Sequence, residues 1–406
     1  MPHLLGPSLS LPDDVLYSKL LEVASQQGDR IIVDDRSRNT QFGYLDILNG
    51  IATLKQQLLE LTDPVILAKP GDFFVALLAP NGYEFIVGVL ATLAIGGVVV
   101  PVREFSPITT RSPRLQQLTL FGPNKAIGAL PAEISHIIRH CHAQILLIGP
   151  EEHSLALEVA AQVPNITSLA IQSQASYPAS LPPVTWYTLD ANLTLPEDTP
   201  SILFFTSGTT GPPKGVLHAR RTINKYAHAI SLDASNDEIC LIPRGTFWSI
   251  YFTKLFQMLL LGVRVEIQNF GRNYDLIWEK FRQNSATKIV LSPTFWYGMM
   301  VHYKTQVATL EDEGERAEYV DGFRYLRDVY VTGAMPSAGL KEFWRELRGG
   351  RPLKVLYGTT ETQEIAVAGE DEYSKEVCCF LLSLALSGFG SIDRSIGFCA
   401  DFCRVG

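Results

Sequence analysis

The sequence predicts an α/β protein built in layers around largely parallel sheets, and three observations carry that expectation. Short continuous apolar runs recur along the chain, at Phe73–Leu78, Ile145–Ile148, Ile202–Phe205, Val263–Ile267, Lys288–Leu291, Val329–Val331 and Lys354–Leu356. Runs of that length, bounded by turn residues, suit strands covered on both faces, as in a parallel sheet. Amphipathic stretches such as Tyr274–Phe281 and Leu340–Leu347 lie between them, in the alternation expected of strand–helix crossovers. Finally, 406 residues of which 46% are apolar suffice to bury cores in two or three domains, which excludes a disordered chain.

Taken in chain order, the N-terminus Met1–Gly6 has no basic region ahead of a long apolar run, so no signal peptide is expected. The end, Arg404-Val405-Gly406, is no peroxisomal address, and a cytoplasmic or other intracellular protein is the expectation. Phe85–Val102 is uncharged for 18 residues, the lower limit for a membrane span. Gly88, Gly96 and Gly97 interrupt it, and Val98–Pro101 suits a buried strand following a helix, so no stable span is expected. Glu104–Leu130 breaks the rhythm with Ser106-Pro107, Ser112-Pro113 and Gly122-Pro123-Asn124, a turn-rich stretch without periodicity. His136 and His140 have a zinc-capable i, i+4 spacing, but no third ligand stands in register with them or with Cys141 and His142. Pro164–Thr199 is expected to be a surface crossover. Beyond Gly369 the chain turns Cys-, Phe-, Leu- and Ser-rich, and Cys378, Cys379, Cys399 and Cys403 crowd there without forming a disulfide framework. The balance of 34 basic against 42 acidic residues, a net charge of −8 with no Lys/Arg block, gives no support for a nucleic-acid partner.

The richest chemistry lies in Ser201-Ile-Leu-Phe-Phe-Thr206-Ser207-Gly208-Thr209-Thr210-Gly211-Pro212-Pro213-Lys214-Gly215. A strand runs into hydroxyls and glycines and then into one lysine. Glycines let backbone N–H groups surround phosphate oxygens, the hydroxyls add donors, and Lys214 adds a point charge. Pro212-Pro213 ahead of the lysine rules out the helix-opening Gly-Lys-[Ser/Thr] loop, so the segment suits a nucleoside triphosphate without being a P-loop. Downstream, Tyr357-Gly358-Thr359-Thr360-Glu361 offers an aromatic face, hydroxyls and a carboxylate, which suit a base, a phosphate and a hard cation.

From Leu203 to Lys214 the chain resembles the phosphate-loop signature of the AMP-forming adenylate synthetases: acyl-CoA synthetases, luciferases and peptide-synthetase adenylation domains. Val355–Glu361 resembles the same superfamily's Tyr-Gly-x-Thr-Glu element. Tyr330–Pro336 is similar to its Gly-Ala-Pro strand end, and Gly71–Asn81 to its early strand and turn. The resemblance implies a layered α/β large domain over 1–368, with an atypical insertion at 104–130 and a divergent, poorly ordered tail at 369–406. It implies that Thr206, Ser207, Gly208, Thr209, Thr210, Gly211, Lys214, Gly333, Ala334, Tyr357, Gly358, Thr359 and Thr360 surround ATP, with Tyr357 on the adenine. Gly333 would admit the ligand close to the backbone. Lys214, Thr360 and Glu361 would be catalytic, Glu361 holding Mg²⁺. The implied reaction joins a carboxylic acid to AMP and then to a thiol, expected to be coenzyme A.

The chain departs from the family after Glu361. No ribose-binding Thr-Gly-Asp, hinge or lysine-bearing small domain is recognisable, and Gly390–Gly397 only echoes the expected Gly-x-x-Gly-Arg. The expectation is therefore a large domain whose final β subdomain is incomplete and whose small C-terminal lid domain is missing, with Glu104–Leu130 and the tail resembling misread gene sequence. A non-catalytic nucleotide-binding remnant is the alternative, and a membrane-associated protein using Phe85–Val102 a third. For the acyl pocket, Ile242–Trp248 occupies the place where relatives carry an aromatic or histidine. No acidic residue stands between Cys240 and Lys254 to hold an amino-acid amine. Phe247, Trp248, Tyr251, Phe252, Phe295, Trp296 and Tyr297 are either pocket wall or core. Arg244 is either a partner for a second carboxylate or a structural arginine.

Overall fold

The computed structural model describes residues 9–102, 131–177, 180–206, 214–232 and 236–368. The chain divides into two compact units, Met1–Asp237 with Ile242–Gly271, and Glu238–Leu241 with Arg272–Gly406.

The first unit opens with β1 (Ser10–Pro12), α1 (Val15–Gln27), the hairpin β2 (Val33–Asp35) and β3 (Thr40–Phe42), α2 (Tyr44–Leu61) and the short α3 (Pro64–Leu67). Strand and helix then alternate through β4 (Phe74–Leu78), α4 (Tyr83–Ala94), β5 (Val98–Pro101), α5 (Pro131–Cys141), β6 (Ile145–Ile148), α6 (His153–Gln162) and β7 (Thr167–Ala170). After β8 (Thr188–Asp190) come β9 (Pro200–Thr206), β10 (Lys214–Ala219) and the one-turn α7 (Arg221–Asn224). The next strand, β11 (Ile239–Ile242), belongs mainly to the second unit, and α8 (Ser249–Leu261) and β12 (Arg264–Ile267) return to the first.

The six-stranded sheet of this unit has the order β10-β9-β5-β4-β6-β7, parallel except for β10, which runs antiparallel on β9. Its middle strands are mostly buried, which explains their Val and Leu runs. Every residue of α4 is buried, so the uncharged stretch Phe85–Val102 is a core helix followed by a core strand. Among the described residues no helix is long and apolar enough to cross a membrane. β12 pairs parallel with β2, and β3 closes that ribbon antiparallel. The stretch Pro164–Thr199, expected to be a surface crossover, is mostly exposed where described and also contains two short strands. β7 forms the edge of the six-stranded sheet and β8 pairs parallel with β1, although both are short and polar enough to hide the strand pattern.

The second unit continues with α9 (Tyr274–Arg282), β13 (Lys288–Leu291), α10 (Pro293–Thr305), α11 (Glu313–Tyr325), β14 (Asp328–Thr332), α12 (Ala338–Leu347), β15 (Lys354–Thr359) and β16 (Gln363–Ala368). Its strands follow the order β16-β15-β14-β13-β11, parallel except for the β15–β16 hairpin. Side-chain caps start the helices: Asn273 accepts from Leu276 N, Ser292 from Phe295 N and Ser337 from Leu340 N. Trp278, Trp296, Trp344 and Phe323 pack ring on ring at the centre of this unit, with Trp296 and Trp344 centroids 5.0 Å apart.

Candidate functional site

The predicted site residues fall on both units, and each set is coherent within its own unit. On the first, β9 delivers Thr206 and β10 begins at Lys214, and the two residues are direct partners across the antiparallel ladder. The Thr206 hydroxyl donates to the Lys214 carbonyl at 3.3 Å, which ties the two ends of the intervening loop together. Partners across a ladder share a face, so the hydroxyl and the exposed ammonium stem stand on one side of the hairpin. The other side carries Phe205 and Gly215, whose added Cβ would meet the Phe205 ring at 3.5 Å. Phe205 packs on the core beneath α5, and the His140 ring lies edge-on to it with centroids 5.9 Å apart. His136 stacks on His140 at 6.0 Å, so these two rings back the hairpin. Ser207, Gly208, Thr209, Thr210 and Gly211 lie outside the described residues, as do 104–130 and 369–406.

On the second unit, the carboxyl ends of the parallel strands β14 and β15 lie side by side, the edge at which α/β sheets characteristically bind ligands. The Thr332 hydroxyl donates to Leu356 O at 2.9 Å and locks the two ends in register. Gly333 and Ala334 leave β14 exposed at this edge. Gly333 adopts φ +89°, and an added Cβ would meet nothing within 4 Å. Backbone conformation, rather than crowding by described residues, therefore accounts for the glycine. Tyr357 presents a ring 41% exposed. Gly358 comes next, at the irregularity in the β15–β16 ladder, where a Cβ would meet Gln363 O at 2.1 Å. The hairpin turn then carries Thr360 and Glu361, with the Glu361 side chain exposed. Two contacts and one backbone angle shape that turn. The Thr359 and Thr362 hydroxyls lie 3.0 Å apart, the Gln363 amide donates to Thr360 O at 2.9 Å, and Gln363 itself takes φ 59°.

The aromatic candidates separate by environment. Tyr251 and Phe252 are buried, Phe252 packing against Phe85, Phe204 and Phe256. Phe295 and Trp296 are buried in the second unit, where Trp296 donates its indole N–H to Tyr330 O at 3.0 Å. These four are core. Tyr297 is exposed beside a cleft of about 510 Å³ whose lining includes Tyr274, Val301 and the His302–Asp275 pair. Phe247 and Trp248 sit on the loop after Ile242, the first half-buried and the second 47% exposed, with rings 5.7 Å apart. One residue of this neighbourhood stands out in the sequence only as the end of a strand-and-turn. Asn81, after β4, donates to Arg244 O at 2.8 Å and accepts from Thr246 N at 2.8 Å and from its hydroxyl at 2.9 Å. Its partners stand more than 160 positions away along the chain, so no local pattern marks it.

An exposed carboxylate beside hydroxyls fits Mg²⁺ in the way that metal is usually held near phosphates, with few protein ligands and several waters. Glu361 would be that ligand.

Comparison with known proteins bears on the family and the fold of the chain. The family described as "AMP-binding enzyme" matches residues 24–379. The acyl-CoA ligase oryP of Aspergillus oryzae is 35% identical over 367 residues, covering 90% of this chain and 61% of that protein. The mitochondrial malonate–CoA ligase of Bos taurus is 24% identical over 346 residues, covering 82% of this chain and 52% of that one. Among solved structures, the N-terminal domain of FACL13 from Mycobacterium tuberculosis superposes with a TM-score of 0.58 at 17% identity. That match covers 86% of this chain and 76% of that one, and shows a shared fold. The chain thus spans about 60% or less of the length of these two ligases.

Proposed function

Because this chain belongs to the AMP-binding enzymes, we propose that it activates a carboxylic acid with ATP and passes the acyl group to a thiol, coenzyme A being the expected acceptor. In the first step a carboxylate oxygen bonds to the α-phosphorus of ATP while the bond to pyrophosphate breaks, leaving an acyl-adenylate. In the second a thiolate sulfur bonds to the acyl carbon and AMP departs. The observation that carries the reading is the facing pair Thr206 and Lys214 at the two ends of one hydroxyl- and glycine-rich loop.

Within this reading each role comes from the chemistry at its position. The Lys214 ammonium neutralises phosphate charge that grows as pyrophosphate leaves, and the Thr206 hydroxyl adds a donor beside it. Gly333, Ala334 and the Tyr357 ring receive the adenine, the ring supplying a flat apolar face. The Thr360 hydroxyl donates to the α-phosphate. Mg²⁺, when bound at Glu361, supplies further neutralisation of the triphosphate. Phe247 and Trp248 form an apolar wall for the acyl portion, and the relatives named for CoA ligation support a thiol acceptor.

Acid-dependent pyrophosphate release by the purified chain, over aliphatic, aromatic and short dicarboxylic acids, tests the proposal. Release with at least one acid is expected. Lys214→Ala should weaken ATP binding about tenfold, the loss of one charge-assisted contact. ATP binding without release for any acid would instead support a nucleotide-binding protein that does no chemistry.

A further inference from the structure

We propose that Asn81 is a positioning residue that sets the acyl wall, holding the loop Arg244–Trp248 so that Phe247 and Trp248 present their rings to the substrate. The inference rests on the reading of those rings as the acyl wall, and it goes beyond that reading by placing control of substrate choice on a residue outside the loop.

The geometry is a three-point clamp. Asn81 is 8% exposed and Thr246 fully buried, so each polar atom here needs a protein partner. The Asn81 amide nitrogen donates to Arg244 O, and its oxygen accepts from both the backbone N–H and the hydroxyl of Thr246. One side chain thereby holds two loop residues that flank Gly245. The amide suits both demands, because the contact to Arg244 O needs a donor and the contacts to Thr246 need an acceptor, whereas an ionised carboxylate has no donor.

The rest of the loop depends on that anchor. A Cβ on Gly245 would meet the Phe247 ring at 2.1 Å, so the ring lies folded across the glycine. Trp248 N donates to Gly245 O at 3.3 Å, and Trp248 is the N-cap position of α8, whose residues are mostly buried. The rings are thus pinned between a buried helix and a buried amide while their faces remain accessible. The anchor comes from the turn after β4, a core strand, so the wall is referenced to the sheet rather than to its own loop. A wall of two contiguous aromatic rings selects acids with an apolar or planar body next to the carboxylate, and its position sets how large that body is.

Three variants test the clamp. Asn81→Ala removes all three contacts. Asn81→Asp keeps the acceptor for Thr246 but sets a carboxylate oxygen against Arg244 O. Gly245→Ala displaces Phe247 without touching Asn81. Each should raise the KM for the preferred acid about tenfold or more, the effect of leaving buried polar groups unmatched or the wall displaced. Discrimination between large and small acids should fall and the thermal midpoint should drop by a few degrees, about what unmatched buried polar groups cost, while ATP affinity stays close to that of the starting protein. Loss of ATP affinity in parallel with acid affinity would assign Asn81 a general structural role and overturn the proposal. Unchanged acid selectivity in folded Asn81→Ala would overturn it as well. A readout independent of catalysis separates this from failure of the functional reading. The iodide quenching of Trp248, isolated by subtracting the matching Trp248→Phe protein, should rise in Asn81→Ala whether or not any acid is turned over. Unchanged quenching would show that Asn81 does not hold the loop.

Discussion

Asp328 shows how a single side chain is tuned by its place. Burial alone would raise its carboxyl, but hydrogen bonds from Lys288 at 2.6 Å and Lys354 at 2.7 Å outweigh burial and hold it below its ordinary value of 3.8. These groups meet at the amino ends of β13, β14 and β15, the opposite end from Gly333 and Tyr357, so the network lies away from the proposed site. A lowered carboxyl stabilises the fold fully above the unfolded value and loses that contribution as pH falls through the folded one. Asp328→Asn should therefore cost stability at pH 7, on the order of 1–2 kcal/mol for a half-buried, doubly hydrogen-bonded carboxylate. The deficit should shrink as pH drops below 3.8. Thermal melts of both proteins from pH 3 to 7 check this, and a pH-independent gap would show that the loss is packing alone. Asp35 has the opposite sign. Burial pushes its carboxyl up to about 6 against the pull of Arg38, so ionising it at neutral pH weakens the fold.

At the scale of elements, the β15–β16 hairpin concentrates the second unit's candidates, and its glycine and that of the neighbouring strand end have different reasons. Gly358 is closed off by the backbone oxygen of Gln363, which cannot move without breaking the ladder, whereas Gly333 has open space and only an unusual φ. Gly358→Ala should cost about 1–3 kcal/mol as an overpacking defect and displace Tyr357 and Thr360, weakening ATP binding several-fold. Gly333→Ala should cost about 1 kcal/mol from its left-handed backbone and alter ATP binding less. Melting curves and ATP titrations of the two variants separate these costs, and equal losses in both would refute the distinction. Both glycines lie inside motifs visible in the sequence, yet the reasons for them do not. Neighbours across a ladder are invisible to spacing along the chain. The same holds for the strands. β6 and β13 coincide with their apolar runs because both faces are covered, whereas the exposed edge β7 carries no such run. Phe295 and Trp296 are equally ambiguous as aromatic letters, and only their neighbours in space make them core: the Tyr274 ring for Phe295, and Trp344 with Phe323 for Trp296.

For the molecule as a whole, the segment Glu104–Leu130 poses the sharpest question, because the elements on either side of it meet in one core. Val102 N donates to Leu77 O at 3.1 Å and completes β5 against β4. α5 begins at Pro131, and its Ile134, Ile137, Ile138 and Cys141 pack with Val98, Val100, Val102 and Leu203. Through Phe205 that core also backs the hairpin that carries Thr206 and Lys214. Among the described residues, α5 is tied to the sheet by this core. Changing the length of a connection costs little, about 0.6 kcal/mol for each doubling. Joining Arg103 directly to Pro131 should therefore give a folded chain that binds ATP within about threefold of the full one, a loss of less than about 1 kcal/mol. Calorimetric titration with ATP and a thermal melt measure both properties on the same preparation, and Lys214→Ala in the shortened chain confirms that binding still uses the hairpin. Aggregation of the shortened chain, or ATP binding abolished while it remains folded, would show that Glu104–Leu130 supplies core or site contacts of its own.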